Sequence, residues 1–153
     1  MSILIQTDQL RTLALGVKVD RATAALPATT TGSIFTVTVG RILVTNIIGL
    51  VTTNVQAQAN AVKLVATPTT GAVNDLCATV DINGLAAGGL LSLTGLAGDV
   101  MVKSTGGGIS SLRNPLIIAV GAIGFTTAAT NTGSISWSIT YVPLDNGATV
   151  AAA

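Results

Sequence analysis

Apolar and polar residues alternate with a period of two over much of this chain, and that period predicts β-strands. The clearest case is 134–142. Ile135, Trp137, Ile139 and Tyr141 occupy one face there, and Ser134, Ser136, Ser138 and Thr140 the other. Strand 33–39 sets Phe35, Val37 and Val39 against Ile34, Thr36 and Thr38. Residues 42–53 are apolar on both faces at several positions, which predicts a central strand. Further strands are read at 61–67, closed by Pro68, and at 75–82, with Leu76, Ala78, Val80 and Ile82 on one side. Short strands follow at 99–103 and 115–120. Residues 123–128 and 134–142 read as a hairpin around Thr130-Asn131-Thr132-Gly133. Residues 17–26 alternate loosely up to Pro27. The Gly- and Leu-rich stretch 85–98 fits a distorted strand or a packed loop, and its glycines argue against a helix.

Eight or nine short strands with no intervening helices predict an all-β fold. The expectation is a single-domain antiparallel β-sandwich or barrel, jelly-roll-like, with an extended N-terminal arm. Its expected parts are an arm at 1–18, a sandwich at 19–145 and a flexible C-terminal tail at 146–153. Within the arm, Thr7 or Asp8 can cap a short helical turn through Leu10 and Leu13. An extended arm that adds a strand to a neighbouring subunit fits equally well.

Composition sharpens this picture. Charged residues make up 8% of the 153 residues, hydrophobic ones 49% and aromatics 3%, with no His and no Glu. An ordinary soluble domain carries roughly 25% charged residues. So uncharged and aliphatic a domain is expected to bury part of its surface against other protein. The net charge of +1 and the scattered Lys and Arg give no basic patch, so neither nucleic acid nor an acidic membrane is an expected partner. Mean hydropathy is +0.72, yet polar residues interrupt every apolar run before it reaches the ~20 residues of a spanning helix. Asp8 and Arg11 break the N-terminal apolar stretch, and no signal peptide is read.

Several chemistries lack their residues. Without His there is no Ser-His-Asp or Cys-His arrangement, and without His or several Cys no zinc site. The six Asp (Asp8, Asp20, Asp75, Asp81, Asp99 and Asp145) are dispersed and form no carboxylate pair in sequence. Asp81-Ile82-Asn83-Gly84 shares a fragment of a calcium loop but lacks its further acidic positions, and a turn accounts for it. Gly106-Gly107-Gly108 lacks the Lys and Ser/Thr of a phosphate loop. Cys77 sits among apolar neighbours and reads as a small buried hydrophobe. Trp137 and Tyr141 share a face with Ile135 and Ile139, which reads as a core face and not as a sugar-stacking platform. No catalytic, cofactor-binding or metal-binding residue is assigned, and no cofactor.

The segment Asn131 to Ala148, with the alternating run Ser134-Ile135-Ser136-Trp137-Ser138-Ile139-Thr140-Tyr141-Val142-Pro143, resembles the closing strand of small virion proteins of tailed bacteriophages. Ala24-Ala25-Leu26-Pro27, Gly32-Ser33-Ile34-Phe35-Thr36-Val37 and Asp75-Leu76-Cys77-Ala78 share the resemblance, which runs from about Val19 onward. It implies a capsid decoration (cement) or head-fibre protein, located on the capsid exterior of the virion. Such a protein is a homo-oligomer, often a trimer, with the major capsid protein as its partner. The alternatives are a receptor- or glycan-binding module of a fibre or adhesin, and a subunit of an open-ended filament.

Overall fold

The computed structural model describes residues 6–153. The first element is a helix, α1 (Thr7–Leu15). Gln9 Oε1 accepts the Gln6 backbone N–H at 3.1 Å, and Asp8 lies in the first turn, where the helix dipole favours an anion. Of the two arm conformations open in the sequence, residues 7–15 take the helical one. Gly16 then redirects the chain at φ 98°, packed so closely against the Tyr141 carbonyl that a Cβ has no room. Strand β1 (Val17–Ala25) begins at Val17, two residues before the expected boundary.

Two antiparallel sheets follow, and they form a sandwich with no closed barrel. The first, sheet A, contains β1, β3 (Ile42–Thr53), β7 (Leu90–Ser92), β8 (Val102–Ser104), β9 (Leu116–Ile118) and β11 (Ser134–Pro143). Its order is β1-β11-β3-β7-β8, with β9 paired to the first residues of β3. Sheet B contains β2 (Thr31–Thr38), β4 (Ala61–Pro68), β5 (Asn74–Asp75), β6 (Val80–Asp81), β10 (Gly121–Thr127) and β12 (Thr149–Ala152). Its order is β12-β2-β10-β4-β5, with β6 also on β4.

The core lies between the sheets. From sheet A come Val44, Ile47, Val51, Ile135, Trp137, Ile139 and Tyr141; from sheet B come Phe35, Val37, Val62, Leu64, Ile123 and Phe125, all buried. Each such aliphatic or aromatic side chain contributes roughly 1.5–3 kcal/mol by leaving water. Phe125 and Trp137 meet across the two sheets with ring centroids 5.3 Å apart and planes tilted 55°. Gly49 makes room for the indole, since a Cβ there would stand 2.9 Å from Trp137 Cη2. The Tyr141 hydroxyl accepts the Val150 backbone N–H at 3.2 Å, so the buried phenol has a polar partner in the other sheet.

Three expectations need correction. The stretch 75–82 is not one alternating strand: β5 and β6 are two-residue strands, and Leu76 and Cys77 between them are both buried. Consecutive burial breaks the period of two, because the chain dives into the core there. Residues 123–128 and 134–142 are not a hairpin, since β10 lies in sheet B and β11 in sheet A. The intervening loop crosses between the layers. The C-terminal residues are not a flexible tail over their whole length: β12 pairs with β2 from Thr149↔Thr38 to Ala152↔Phe35, burying Ala148 and Val150. Arg21 Nε also donates to the Ala153 carbonyl at 2.9 Å, joining the β1 and β12 edges. Within the unassigned stretch 85–98, residues 90–92 form β7.

Candidate interaction surface

The crossing loop is held by two buried amides, Asn60 and Asn131. Asn60 is 1% exposed. Its Nδ2 donates to the Ala129 carbonyl at 3.0 Å, and its Oδ1 accepts the backbone N–H groups of Ala128 and Ala129 at 3.0 and 3.1 Å. Asn131 Nδ2 donates to the carbonyls of Gln58 at 2.8 Å and Gln56 at 3.3 Å. Asp81 accepts the backbone N–H groups of Asn60 and Asn83 at 2.8 and 3.0 Å, and these bonds hold its carboxyl below the usual carboxylate range. The fragment Asp81-Ile82-Asn83-Gly84 is therefore a turn whose carboxylate is spent on backbone donors.

The other carboxylates have local partners as well. Asp8 pairs with Arg11 at 2.6 Å, Asp20 with Lys18 at 2.8 Å and Asp75 with Lys63 at 2.7 Å, while Asp99 accepts the Thr94 hydroxyl at 2.7 Å. Asp145 takes three N–H groups of Arg41, from the backbone at 2.7 Å and the guanidinium at 3.0 and 2.8 Å. The guanidinium and then the backbone donor hold the Asp145 carboxyl at about 2, and the Asp145 carboxylate in turn raises the Arg41 pKa through the same side-chain hydrogen bond and its charge. This latch ties the turn before β3 to the turn before β12. Cys77 is 1% exposed, its Sγ lies 3.4 Å from the Leu64 backbone nitrogen, and burial pushes the thiol pKa up. Trp137 and Tyr141, at 3% and 4% exposure, offer no stacking platform to a ligand. Among the described residues no cluster of three or more His, Cys, Asp or Glu is placed to hold a metal ion. No helix among them is long and apolar enough to cross a membrane.

What the sandwich does present is a contrast between its two outer faces. Register puts Leu43 between Ile117 and Val142, and Leu50 between Leu90 and Ser136, on the outside of sheet A. Ile48 pairs with Ser138 on the same face. Ile117 is 66% exposed and Leu50 41%. Lys18 and Asp20 border this face on β1 and neutralise each other. The outside of sheet B is instead lined with threonine. Thr31 and Thr126 are joined through their hydroxyls at 2.7 Å, Thr38 and Thr149 at 2.8 Å, and Thr36 and Thr67 flank Ala122. Comparison with protein-family models, curated proteins and solved structures finds no match to the chain.

Helix α1 extends the aliphatic face. It has no buried residue, and Leu10, Leu13 and Leu15 are more than half exposed. The Thr45 hydroxyl lies 2.9 Å from the Leu15 carbonyl and 3.1 Å from that of Thr140, which fastens the helix end over the middle of sheet A. Ala14 and Leu15 thereby wall a cleft of about 220 Å³ floored by Thr45, Asn46 and Thr140. Asn46 Oδ1 is buried in that region without a donor among the described residues. Neither the Asn60 and Asn131 brackets nor the unlike outer faces were assigned from sequence. The signal for the faces was present in 42–53, where both sides of the strand are apolar.

Proposed function

We propose that this chain is a non-catalytic virion structural protein: a capsid decoration (cement) protein that binds the outer surface of an assembled phage capsid and stabilises it. In this reading it acts as a homo-oligomer, for which the sequence resemblance implies a trimer, and the jelly-roll version of the sandwich belongs to the same proposal. The observation that carries it is an aliphatic outer face on a β-sandwich, in a chain with 8% charged residues. Such a face is costly to leave in water and marks a site of contact with another surface.

The mechanism is mechanical. A ligand that binds the assembled shell and not its separated subunits stabilises the shell by mass action. Repeated contacts on a symmetric lattice reinforce one another through effective concentration. Dispersed carboxylates with local partners, a buried inert thiol and the amide-braced loops all serve rigidity in this scheme. The glycan-binding alternative loses its aromatic platform to the core. Cosedimentation with intact and with dissociated capsids tests the proposal. Binding to intact shells alone is the expected result, together with a higher shell melting temperature. Equal binding to dissociated subunits, or none to either, overturns it.

A further inference from the structure

We propose that Asn146 is a site of spontaneous deamidation, and that its isoaspartyl product releases β12 from the edge of sheet B. The inference is independent of the assembly reading above.

The chain has two Asn-Gly dipeptides, Asn83-Gly84 and Asn146-Gly147. They sit in like turns. The Leu85 N–H donates to the Ile82 carbonyl at 3.1 Å, and the Ala148 N–H donates to the Asp145 carbonyl at 3.1 Å. Each glycine takes a positive φ, 63° at Gly84 and 81° at Gly147. Both asparagines are exposed. Dipeptide and turn therefore favour neither site.

The chemistry depends on the glycine N–H. Its nitrogen attacks Cγ of the preceding asparagine, the N–Cγ bond forms and the Cγ–Nδ2 bond breaks. Nδ2 leaves as ammonia and takes up the glycine proton. Glycine suits the step because it has no Cβ to shield its nitrogen. Water then opens the cyclic imide. Cleavage at Cγ gives aspartate. Cleavage at the main-chain carbonyl gives isoaspartate, whose backbone runs through Cβ and Cγ.

The two turns differ at that N–H. Gly84 donates it to the Gln56 carbonyl at 3.3 Å, and beside it the Val55 N–H donates to the Leu85 carbonyl at 2.9 Å, so this turn is laced to 55–56. The Asn83 N–H is tied to the Asp81 carboxylate at 3.0 Å. No described residue accepts the Gly147 N–H. Attack at Gly84 must break a hydrogen bond and lift the turn from its neighbour, whereas attack at Gly147 breaks none.

The isoaspartyl product lengthens the main chain between two fixed points. Asp145 is latched to Arg41 on one side, and Ala148 is buried at 2% exposure on the other. The longer link cannot keep the Ala148 to Asp145 hydrogen bond with both points in place. The weaker side gives way, which is the four-residue edge strand β12 on β2.

Peptide mass mapping of the full chain, aged while folded in mildly alkaline buffer, provides the test. Trypsin separates the two sites into peptides 64–103 and 114–153, and fragment ions place the change within each. Conversion of the amide to a carboxyl should run about tenfold faster at Asn146 than at Asn83. In concentrated urea the two rates should converge, because the bond to Gln56 is gone. Asn146→Gln should fold as the wild type by circular dichroism and stay unmodified at 146. Amide exchange at 149–152 should quicken in the aged wild type and not in aged Asn146→Gln. Equal rates in the folded chain, a faster Asn83 or a difference that persists in urea overturns the site. Unchanged exchange in chains that carry isoaspartate at 146 overturns the release of β12.

Discussion

The two outer faces of the sandwich obey the same period of two and differ in what fills it. Sheet A turns Leu43, Ile48, Leu50 and Ile117 outward, whereas sheet B turns out Thr31, Thr36, Thr38, Thr67 and Thr126. Both residue classes suit a pleated strand, so neither choice is needed to make a sheet. Both inner faces are built from aliphatic and aromatic side chains, apart from Thr127 at the end of β10, whose hydroxyl donates to the Pro27 carbonyl. Folding therefore does not require the difference, which fits the proposed binding of other protein on sheet A. Threonine keeps sheet B compatible with water, while the aliphatic face of sheet A is the one to which the proposed function assigns a protein contact.

That contrast separates changes that act on stability from changes that act on association. The largest stability loss should come from the shared core. Phe125→Ala removes the ring packed against Trp137 and should cost about 3–5 kcal/mol in urea denaturation. Asn60→Ala comes next, at about 3 kcal/mol, because it strands the Ala128 and Ala129 amides and the Ala129 carbonyl of the crossing loop. Gly49→Ala forces a methyl group into the Trp137 ring and should cost about 1–3 kcal/mol. Val39 holds φ 70° while 73% exposed, so Val39→Asn should gain about 1 kcal/mol by relieving a left-handed β-branched residue. Outer-face changes such as Leu50→Thr should stay within about 0.5 kcal/mol for the separated chain. If they cost as much as core changes, the division between core and contact surface fails.

The pH profile sharpens the same division, because every ionised pair lies outside the core. With no His and no Glu, stability should be flat between about pH 5 and 7. Asp145 has a folded pKa of about 2 against 3.8 for the free group. Its contribution is therefore complete above the unfolded value and is lost as pH falls through the folded one; Asp81 acts in the same direction. Asp145→Asn should remove part of the acid limb and leave the neutral plateau flat, as read by melting temperature against pH.

The regular strands could be read from the sequence because their burial follows one face at a time. The alternation of Ile135, Trp137, Ile139 and Tyr141 predicted both a strand and its core side, and Ile42–Thr53 was placed by its length and double-sided apolarity. Elsewhere tertiary contact overrode local pattern. Leu76 and Cys77 are buried in succession, so 75–82 reads as a strand but folds as two short ladders around a core insertion. Thr149–Ala152 is four small residues that become a strand only because β2 offers an edge. A short polar loop fits a hairpin and an inter-sheet crossing alike. The amides that decide it, Asn60 and Asn131, are 71 residues apart in the chain. The aliphatic outer face was hidden for a related reason: where both sides of β3 are apolar, no pattern says which side the partner sheet will cover.

Sedimentation equilibrium of the pure full-length chain over a wide concentration range tests the central claim most directly. A mass at an integral multiple of the single chain is the predicted result. A mass of one chain at every concentration contradicts the account.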